Sequence, residues 1–517
     1  MPKDAAIVVH INGASLNSKL SWDEIKQTDM YAAMMQQAED SLAKQILDNP
    51  EKSGIDIKSD AYLFVKNDGS NTYIGFTCNI KDEKAFTSFM GKVNEGKEIT
   101  KKGKLSVIAS GDDVLSWSKD RFLVVGTSRM AEQYMGGTSR KRLTEDSLVK
   151  FATSIYDLKN KESIASDNRF SDMMDDKGDV HFWVNPGEMI GKTLPSILLL
   201  TKATTLIQGN ATAATLSFEN GKISINGKSY FNKELSSLYK KFSMKNFDEA
   251  MLKKIPYDNV TAVMAMNYPP DGLKALLELL GVDGLANMAL AESGLNIDDI
   301  LKAFKGDMML AVTDFEFAEK EFSPDPDEDW HMKRTVPNAK ILFSTSVNDK
   351  ASFEKMVDLV SGKMNKDGGD GNEIMDHISY KLNDDWFVAG SDSVQVNSFS
   401  STNTDKPFIK TISGHPMGGF IDIQKIIRGS MSLAKEDSAA SNVADESLKY
   451  WQDIVFYGGE FKNDAMESHI EINMVDKNTN SLKQLANYFN TIFKAKKSFS
   501  RRIAGIEDIE TENPPAP

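Results

Sequence analysis

Apolar residues recur along this chain at two spacings, and the first of them predicts amphipathic helices. Four apolar residues follow Asp82, and they are three, one and three residues apart: Phe86, Phe89, Met90 and Val93. Positions with this spacing share one face of a helix, and the carboxylate of an aspartate can accept the free backbone N–H groups at a helix N-terminus. We therefore predict a helix that begins after Asp82 and packs one face against the rest of the protein.

The second spacing is alternation, which predicts strands. Between Thr215 and Ile225, apolar and polar residues alternate on both sides of Asn220-Gly221. Asn-Gly tolerates the positive φ angles of a tight hairpin turn, so the segment predicts an antiparallel strand pair. Helical spacing resumes at Leu235, Leu238 and Phe242. Hairpins mixed with helices favour an α+β fold, an antiparallel sheet with helices on one face, over a doubly wound parallel sheet.

Short blocks of the first half recur in the same order in the second half, which predicts an internal duplication of one α+β unit. Each short match is weak evidence, but six matches in unchanged order are hard to attribute to chance. The pairs are Pro2-Lys3-Asp4 with Pro256-Tyr257-Asp258, Gly54-Ile55-Asp56-Ile57 with Gly294-Leu295-Asn296-Ile297, Ile80-Lys81-Asp82 with Val347-Asn348-Asp349, Asp120-Arg121-Phe122 with Asp384-Asp385-Trp386, Phe182-Trp183-Val184-Asn185 with Gly419-Phe420-Ile421-Asp422, and Phe218-Glu219-Asn220-Gly221 with Phe461-Lys462-Asn463-Asp464.

These blocks predict a first repeat unit at residues 1–250, a second at 251–500 and an acidic, proline-rich tail at 501–517. The length of 517 residues agrees with two domains, because one hydrophobic core seldom grows beyond about 250–300 residues. Glu319 to Pro337, rich in Pro, Asp and Glu, predicts a solvent-exposed excursion between two strands.

Charge and hydropathy exclude some classes of function. The 61 Lys and Arg residues against 75 Asp and Glu give a net charge of −14, which opposes binding to nucleic acid and to anionic membranes. The longest apolar stretch, Leu194 to Ile207, is interrupted by polar residues and falls short of the roughly 20 apolar residues that span a bilayer. We therefore expect no nucleic-acid partner and no membrane-spanning segment.

The N-terminus and the single cysteine bear on the compartment. Met1 to Asp4 leads directly into an apolar strand without a cleavable export signal, so the protein is either cytoplasmic or begins after a removed signal. Cys78, alone in the chain, excludes an intramolecular disulfide. It lies in a strand-like run with no histidine nearby in sequence, which favours a buried structural thiol over a nucleophile.

No local pattern predicts a metal or cofactor, and we assign no metal-binding, cofactor-binding or catalytic residue. The six histidines are scattered singly, without the i, i+4 pair typical of zinc sites. The acidic residues from Asp325 to Asp329 are interrupted by Pro326 and lack the twelve-residue calcium-loop pattern. The glycine-rich run from Lys366 to Asn372 contains acidic residues that would repel a phosphate, and it is interpreted as a flexible loop.

One catalytic pattern is incomplete. Ser116-Trp117-Ser118-Lys119 fits S-x-x-K and Ser166-Asp167-Asn168 fits S-D-N, two of three signatures of penicillin-binding proteins and class A β-lactamases. The third fails, because Lys192-Thr193 is followed by Leu194 instead of glycine. Ser116 also lies in a predicted hairpin, whereas the serine-lysine pair needs the start of a helix.

Aromatic residues leave a sugar-binding groove open as an alternative. Trp183, Trp386, Tyr450 and Trp451 have flat rings of the kind that stack on sugars. Trp183 and Trp386 lie inside strand-like runs, however, where a role in the core is the more common one.

Three segments of the chain resemble an uncharacterised family of Bacteroidota lipoproteins, domain of unknown function 4836. They are the opening Pro2-Lys3-Asp4-Ala5-Ala6, the segment Asn49 to Asp56 and the recurrence at Ile255-Pro256-Tyr257-Asp258. The resemblance extends over nearly the whole chain and transfers no active-site residues. It implies an exported protein tethered by a lipidated cysteine that this chain lacks. Four tripeptides also resemble O-glycosylation sites of exported proteins in that phylum: Asp40-Ser41-Leu42, Asp146-Ser147-Leu148, Asp392-Ser393-Val394 and Asp437-Ser438-Ala439.

We therefore expect a non-enzymatic protein of the cell envelope, in the periplasm or at the outer membrane, with a binding or scaffolding role. Its partner would be an unidentified envelope protein or glycan, and its contact with a membrane would be limited to an N-terminal lipid anchor. The alternatives are an envelope serine hydrolase, whose residues would have to converge from distant segments, and a carbohydrate-binding surface protein.

Overall fold

The computed structural model describes residues 1–38, 41–68, 71–127, 143–190, 202–291, 294–322, 332–364, 378–434 and 438–494. The chain divides into two compact units. The first unit comprises Met1–Glu219 and Ile225–Lys233, and the second comprises Asn220–Ser224 and Glu234–Pro517. The predicted tail at 501–517 lies outside the described residues.

The first unit is built on an antiparallel sheet with the strand order β4-β5-β6-β7-β3-β2-β1-β8-β9-β10. Its strands are β1 (Ala5–Ile11), β2 (Ala61–Asn67), β3 (Thr72–Asn79), β4 (Thr100–Lys102), β5 (Leu105–Ser110), β6 (Asp113–Trp117), β7 (Arg121–Thr127), β8 (Val180–Val184), β9 (Ala211–Glu219) and β10 (Lys222–Tyr230).

Helices of the first unit connect these strands and cover part of the sheet. They are α1 (Gly13–Lys19), α2 (Trp22–Ile25), α3 (Asp29–Gln37), α4 (Ser41–Asp48), α5 (Glu83–Val93), α6 (Glu145–Tyr156), α7 (Asn168–Asp175) and α8 (Pro186–Ile190), with short 3₁₀ turns at Pro50–Ser53, Asn160–Glu162, Ile164–Ser166 and Lys202–Leu206.

The predicted helix after Asp82 is α5, and its apolar face forms a core with the strands. Asp82 accepts hydrogen bonds from the backbone N–H groups of Lys84 and Ala85 at 2.9 and 3.0 Å, so it is the N-cap. Phe86 is fully buried and stacks on Phe122, with ring centroids 5.2 Å apart. This packing fixes α5 against the sheet of the first unit.

The second unit contains an antiparallel sheet with the order β14-β15-β13-β12-β11-β16-β17-β18. Its strands are β11 (Val260–Asn267), β12 (Phe304–Phe322), β13 (Met332–Val347), β14 (Ser379–Leu382), β15 (Trp386–Gly390), β16 (Met417–Asp422), β17 (Trp451–Lys462) and β18 (Ala465–Met474).

The helices of the second unit follow the same scheme of connecting and covering strands, and residues 481–494 are also helical. They are α9 (Lys233–Lys241), α10 (Ala250–Lys253), α11 (Pro270–Leu280), α12 (Asp283–Ala291), α13 (Ile297–Ala303), α14 (Lys350–Met364), α15 (Ser393–Ser398), α16 (Ile409–Ile412), α17 (Ile423–Ser430) and α18 (Ser438–Tyr450), with 3₁₀ turns at Phe399–Ser401 and Met431–Ala434.

One face of the second sheet carries a continuous core. Val263 and Ala265 of β11, Ala311 of β12 and Val455 of β17 are buried together with Phe399. These strand residues alternate with outward-facing ones, as expected for a sheet that packs on one face. The core fixes the strands from which the candidate site is built.

The α+β prediction is confirmed, and so are several local expectations. Asn220-Gly221 joins β9 to β10, and Gly221 has the positive φ of 69° that the tight turn requires. Cys78 is a free, buried thiol, and burial raises its pKa. Among the described residues, no helix is long and apolar enough to cross a bilayer.

The predicted excursion from Glu319 to Pro337 differs from a simple loop. Its first residues extend β12 and its last residues extend β13, so that Phe322 pairs with Met332. The extension consists largely of exposed residues, which agrees with the solvent exposure expected from the composition. Residues 323–331 lie outside the described part of the chain.

Candidate binding cleft

A cleft of about 950 Å³ opens on the second unit and combines charged, amide and aromatic side chains. Its volume falls in the range of about 300–1,000 Å³ typical of small-molecule sites. We call it the β16–β18 cleft. It is lined by Asp258, Val260, Thr404, Asp405, Lys406, Pro407, Phe408, Thr411, Phe420, Asp422, Gln424, Lys425, Gln452, Asp453, Val455, Glu471, Asn473 and Val475.

The floor of the cleft places two carboxylates next to each other. Asp422 of β16 and Asp453 of β17 are direct cross-strand partners. Asn473 of β18 donates a hydrogen bond of 2.8 Å from Nδ2 to Asp453 Oδ1. Like charges directly opposite each other destabilise an antiparallel pair, so this arrangement is unfavourable for the sheet itself.

A stacked aromatic pair lies between the floor and the wall segment, which comprises Thr404 to Phe408. Phe408 and Phe420 have ring centroids 4.8 Å apart and an interplanar angle of 11°. Phe420 comes from β16, and Phe408 comes directly before α16 in the wall segment. The pair adds to the apolar part of the lining, which also includes Val260, Pro407, Val455 and Val475. Both rings also pack in the core of the second unit.

Lys406 brings a buried cation to the wall. It is 7% exposed, and its Nζ donates to the carbonyl oxygens of Ile255 at 2.9 Å and Thr404 at 3.5 Å. Burial lowers the pKa of Lys406, while the charges of Asp258 and Asp405 partly oppose this effect. An ammonium has three donors, so a further acceptor can still bind here.

A second lysine is tied to the end of the floor. Lys425 donates from Nζ to the carbonyl oxygen of Val260 at 3.0 Å and lies 3.6 Å from Asp422 Oδ2. Asp422 is also the N-cap of α17, because its Oδ1 accepts from the backbone N–H of Lys425 at 2.9 Å. The start of α17 therefore fixes the side chains of Asp422 and Lys425 at the end of the cleft floor.

Glu471 lines the cleft and also contacts His469, the first of three neighbouring rings. It accepts from Lys222 Nζ at 2.5 Å and lies 3.1 Å from His469 Nε2. Burial raises the pKa of Glu471, but these two partners outweigh it, and the pKa lies below its ordinary value. Tyr457 lies between His469 and His415, with ring centroids 4.8 and 4.4 Å away.

The cleft therefore offers both hydrogen-bond donors and acceptors around an apolar ring pair. This is the composition of a site that recognises a ligand by hydrogen bonds and ring contact. Within the part of the chain that the structure describes, no group of three or more His, Cys, Asp and Glu side chains is arranged to hold a metal ion.

The residues of the S-x-x-K pattern have structural roles. Ser116 lies on β6, is fully buried, and donates from Oγ to the carbonyl oxygen of Leu123 at 3.3 Å. Its own carbonyl accepts from Tyr156 OH at 2.9 Å, and Lys119 lies beyond the end of β6. The geometry agrees with the predicted hairpin and places no lysine beside the Ser116 hydroxyl.

The S-D-N pattern forms a helix start. Asp167 is the N-cap of α7 and forms an ion pair of 2.8 Å with Arg169. Lys192-Thr193, the failed third signature, lies outside the described residues, as do the acidic run at 325–329 and the glycine-rich run at 366–372.

Two of the rings proposed for a sugar groove belong to the cores: Trp183 is 1% exposed, and Trp386 packs against the core of the second unit. Tyr450 and Trp451 are half-buried and both contact Tyr488, with ring centroids 5.3 and 5.7 Å away. Of the tripeptides that resemble glycosylation sites, Asp392 caps α15 and forms an ion pair of 3.0 Å with Lys340. Asp40 and Asp437 lie outside the described residues.

The first unit also contains a buried polar cluster. His10 of β1 and His181 of β8 are cross-strand partners whose Nδ1 atoms lie 2.9 Å apart. His10 Nε2 lies 3.2 Å from Asp60 Oδ1, and His181 Nε2 lies 2.9 Å from the carbonyl oxygen of Asp176. Both histidines are almost fully buried, so we assign the cluster a structural role.

Sequence reasoning missed the β16–β18 cleft because its residues come from separate segments between Asp258 and Val475. No spacing within one segment connects them. The one local signal is the aspartate at the end of β16, which stands out in the sequence only as part of a repeated block. Its opposition to Asp453 depends on strand register, which no local pattern provides.

Comparisons with known proteins give a family but no activity. The family model described as "Domain of unknown function (DUF4836)" matches residues 1–410, which confirms the resemblance seen in the sequence. The wall segment from Thr404 to Phe408 lies within the matched residues, and β16, β17 and β18 lie beyond them. A search of curated proteins finds no match.

Among solved structures, crystal forms of a protein named TP0453 match weakly. Crystal form I is 12% identical, covers 45% of this chain and 79% of that chain, and has a TM-score of 0.24. Crystal form III is 13% identical, with coverages of 48% and 89% and a TM-score of 0.25. Scores this low do not establish a shared fold.

Proposed function

We propose that this chain, which belongs to the DUF4836 family, is a non-enzymatic protein of the cell envelope that binds a ligand in the β16–β18 cleft. The observation that carries the proposal is the cleft itself, about 950 Å³ in volume and lined by hydrogen-bonding groups around a stacked ring pair. Envelope localisation and an N-terminal lipid anchor are part of the proposal, and they rest on the resemblance to Bacteroidota lipoproteins.

We further propose that the two units are copies of one ancestral unit. The strand order is the same when β6, β7, β3, β2, β1, β8, β9 and β10 are matched with β14, β15, β13, β12, β11, β16, β17 and β18. The first strand of each unit also has a register shift at the same place, between Ala5 and Ile7 and between Val260 and Ala262.

Repeated sequence blocks occupy matching places in the two units, which supports the duplication. Asn185 follows β8 and accepts from the backbone N–H of Glu188 at 3.2 Å, as Asp422 does from Lys425 after β16. One block is offset, because the strand register places Trp386 where Arg121 lies, one residue from the match that the sequence suggests.

The duplication gives the cleft a counterpart in the first unit that is built differently. There Phe170 contacts Trp183 edge-on, with centroids 5.7 Å apart, and Arg169 lies 5.6 Å above the Trp183 ring. Arg169 also donates to the carbonyl oxygen of Gly209 at 3.0 Å. In the second unit the residue before Phe408 is Pro407, which lines the cleft and has no charged group to place over a ring.

The hydrolase alternative has less support in the residues described. The Ser116 hydroxyl is buried and bonded to a carbonyl. Lys101 does lie 2.6 Å from the hydroxyl of Ser106, but the two are direct partners on the β4–β5 ladder, which places their side chains on one face of the sheet. Ser106 is therefore the serine to examine besides Ser116.

A thermal-shift screen tests ligand binding across several chemical classes at once. The panel contains monosaccharides, oligosaccharides, amino acids, dipeptides and nucleotides. A ligand at 100 times its Kd stabilises the native state by about 2.7 kcal/mol, which is measurable as an increase in Tm. We expect at least one compound to raise the Tm of the parent protein.

Two matched variants tie such an effect to the cleft. Thr411 and Lys410 are neighbouring exposed residues of α16, but only Thr411 lines the cleft. Thr411→Trp should abolish the shift and Lys410→Trp should preserve it. An equal shift in both variants, or no shift with any compound, contradicts the proposal. Stoichiometric labelling of Ser106 or Ser116 by a fluorophosphonate probe would favour the hydrolase instead.

A further inference from the structure

We infer that the ligand of the β16–β18 cleft is an uncharged oligosaccharide, an inference that rests on the proposed function. The lining combines fixed acceptors, fixed donors and an apolar ring pair in one space. A sugar matches all three groups, because each hydroxyl both donates and accepts and the C–H face of a pyranose ring is apolar.

The charges of the lining argue against an anionic ligand. Five carboxylates line the cleft, and two lysines oppose them, Lys406 and Lys425. Lys425 already lies 3.6 Å from Asp422 and donates to a carbonyl, so little of its charge remains for a ligand. Of the five carboxylates, Asp405 pairs with Lys253 at 3.3 Å and Glu471 with Lys222 at 2.5 Å. Asp258 and Asp453 remain without an ion pair among the described residues, against Lys406, so an anion would meet more negative than positive charge.

The buried lysine argues against a purely cationic ligand. Lys406 lines the cleft, is 7% exposed and donates from Nζ to the carbonyl oxygens of Ile255 and Thr404, with no carboxylate within 4.0 Å of Nζ among the described residues. An ammonium ligand has no acceptor to offer Lys406 and would be repelled by it. A hydroxyl can accept from Lys406 and donate to Asp453 or Glu471.

The adjacent carboxylates provide an independent indication of a ligand. Asp422 and Asp453 oppose each other across the β16–β17 ladder, where like charges cost a sheet stability, although Lys425 lies 3.6 Å from Asp422 Oδ2 and compensates part of this charge. Local rules of stability are broken most often at functional sites. Each carboxylate has about four acceptor positions, and the Asn473 amide uses one of those on Asp453, so hydroxyl donors can use the others.

A peptide fits the cleft less well than a sugar. Extended peptides commonly bind by adding a strand to the free edge of a sheet. The floor here is the face of β16, β17 and β18, and the cross-strand ladders already pair β16 with β17 and β17 with β18. The binding surface therefore consists of side chains, which suits a ligand rich in hydroxyl groups.

The test compares oligosaccharides that differ in charge but not in length. Hexamers of glucose in α-1,4 and β-1,4 linkage, mannose, xylose and N-acetylglucosamine are the uncharged set, and hexamers of glucosamine and galacturonate are the charged set. Binding is measured by titration calorimetry with the parent protein. We expect at least one uncharged hexamer to bind and both charged hexamers to bind at least tenfold more weakly.

Variants then separate a ligand contact from a structural role. Asp453→Asn should weaken binding of the uncharged hexamer by about ten- to 100-fold, since a hydrogen bond to a charged group is lost. Its Tm should stay the same or rise, because the like-charge pair is removed. Asp384→Asn is the control, since Asp384 is 88% exposed and lies away from the cleft lining.

The outcomes distinguish the ligand class from the proposed function. Tightest binding of a charged hexamer, abolished by Thr411→Trp, would overturn the uncharged class and leave the binding cleft intact. An unchanged affinity of Asp453→Asn would overturn the role of the carboxylate pair. If the parent, Thr411→Trp and Lys410→Trp bound every hexamer equally, the cleft would not be the binding site. That result would overturn both the ligand class and the proposed function.

Discussion

At the scale of single residues, we expect the buried His10 to make the stability of the first unit depend on pH. His181 Nε2 faces a carbonyl oxygen, which can only accept, so this nitrogen carries the hydrogen and His181 Nδ1 accepts from His10. Burial lowers the pKa of His10 below its ordinary 6.5, while the charge and hydrogen bond of Asp60 oppose this effect.

The direction of the pH effect follows from this lowered pKa. A histidine whose pKa is lower in the folded state than in the unfolded state binds protons preferentially when unfolded. Its neutral form supports the fold above pH 6.5, and stability is lost as the pH falls from 6.5 through the folded-state pKa. The free energy of unfolding of the first unit should therefore decrease from pH 7.5 to pH 5.5.

We expect His10→Gln to reduce this decrease, measured by urea unfolding at the two pH values. Tyr62→Phe is the control, since it keeps the ring that lies 4.8 Å from His10 and changes no group that titrates between these pH values. An identical pH dependence in the parent and His10→Gln would show that His10 is not the responsible group.

At the scale of elements, glycines under aromatic rings fix how neighbouring strands approach each other. A Cβ at Gly75 of β3 would overlap the ring of Phe64 on the paired strand β2. Gly419 of β16 has the same relation to Phe456 of β17. The ring of one strand covers the backbone of the next, so neither glycine can be enlarged without a shift of the ring.

Gly75→Ala should therefore destabilise the protein by about 1–3 kcal/mol, the usual cost of overpacking a well-filled site. Gly91→Ala is the matched control, because a Cβ at this exposed position of α5 meets its nearest atom, Ile99 Cδ1, at 4.0 Å. Alanine in a helix interior is favoured over glycine by up to about 1 kcal/mol. Chemical denaturation measures both, and equal stability changes would contradict this description of the β2–β3 pair.

The elements that the sequence predicts correctly are those with local physical causes. The cap at Asp82 and the turn at Asn220-Gly221 depend on a few neighbouring residues, and both occur where the pattern places them. The cleft depends on the register between β16, β17 and β18 and on a wall segment held by contacts to Ile255. Such long-range relations are not encoded in any local spacing, so the sequence does not predict the site.

At the scale of the whole molecule, two units of matching strand order differ at the position beside the wall aromatic. Arg169 lies over the Trp183 ring of the first unit, whereas Pro407 lines the cleft together with the ring pair of the second unit. If the units are copies, this position carries a charged group over a ring in one and a cleft-lining proline in the other. We therefore propose that the ligand binds to the second unit.

Hydrogen–deuterium exchange of the full chain, with and without the uncharged hexamer that binds most tightly, tests this assignment most directly. We predict slower exchange on binding in residues 404–412 and in β16, β17 and β18, and unchanged exchange in β1, β2 and β8 of the first unit. Protection confined to the first unit, or none in residues 404–412, would contradict the assignment.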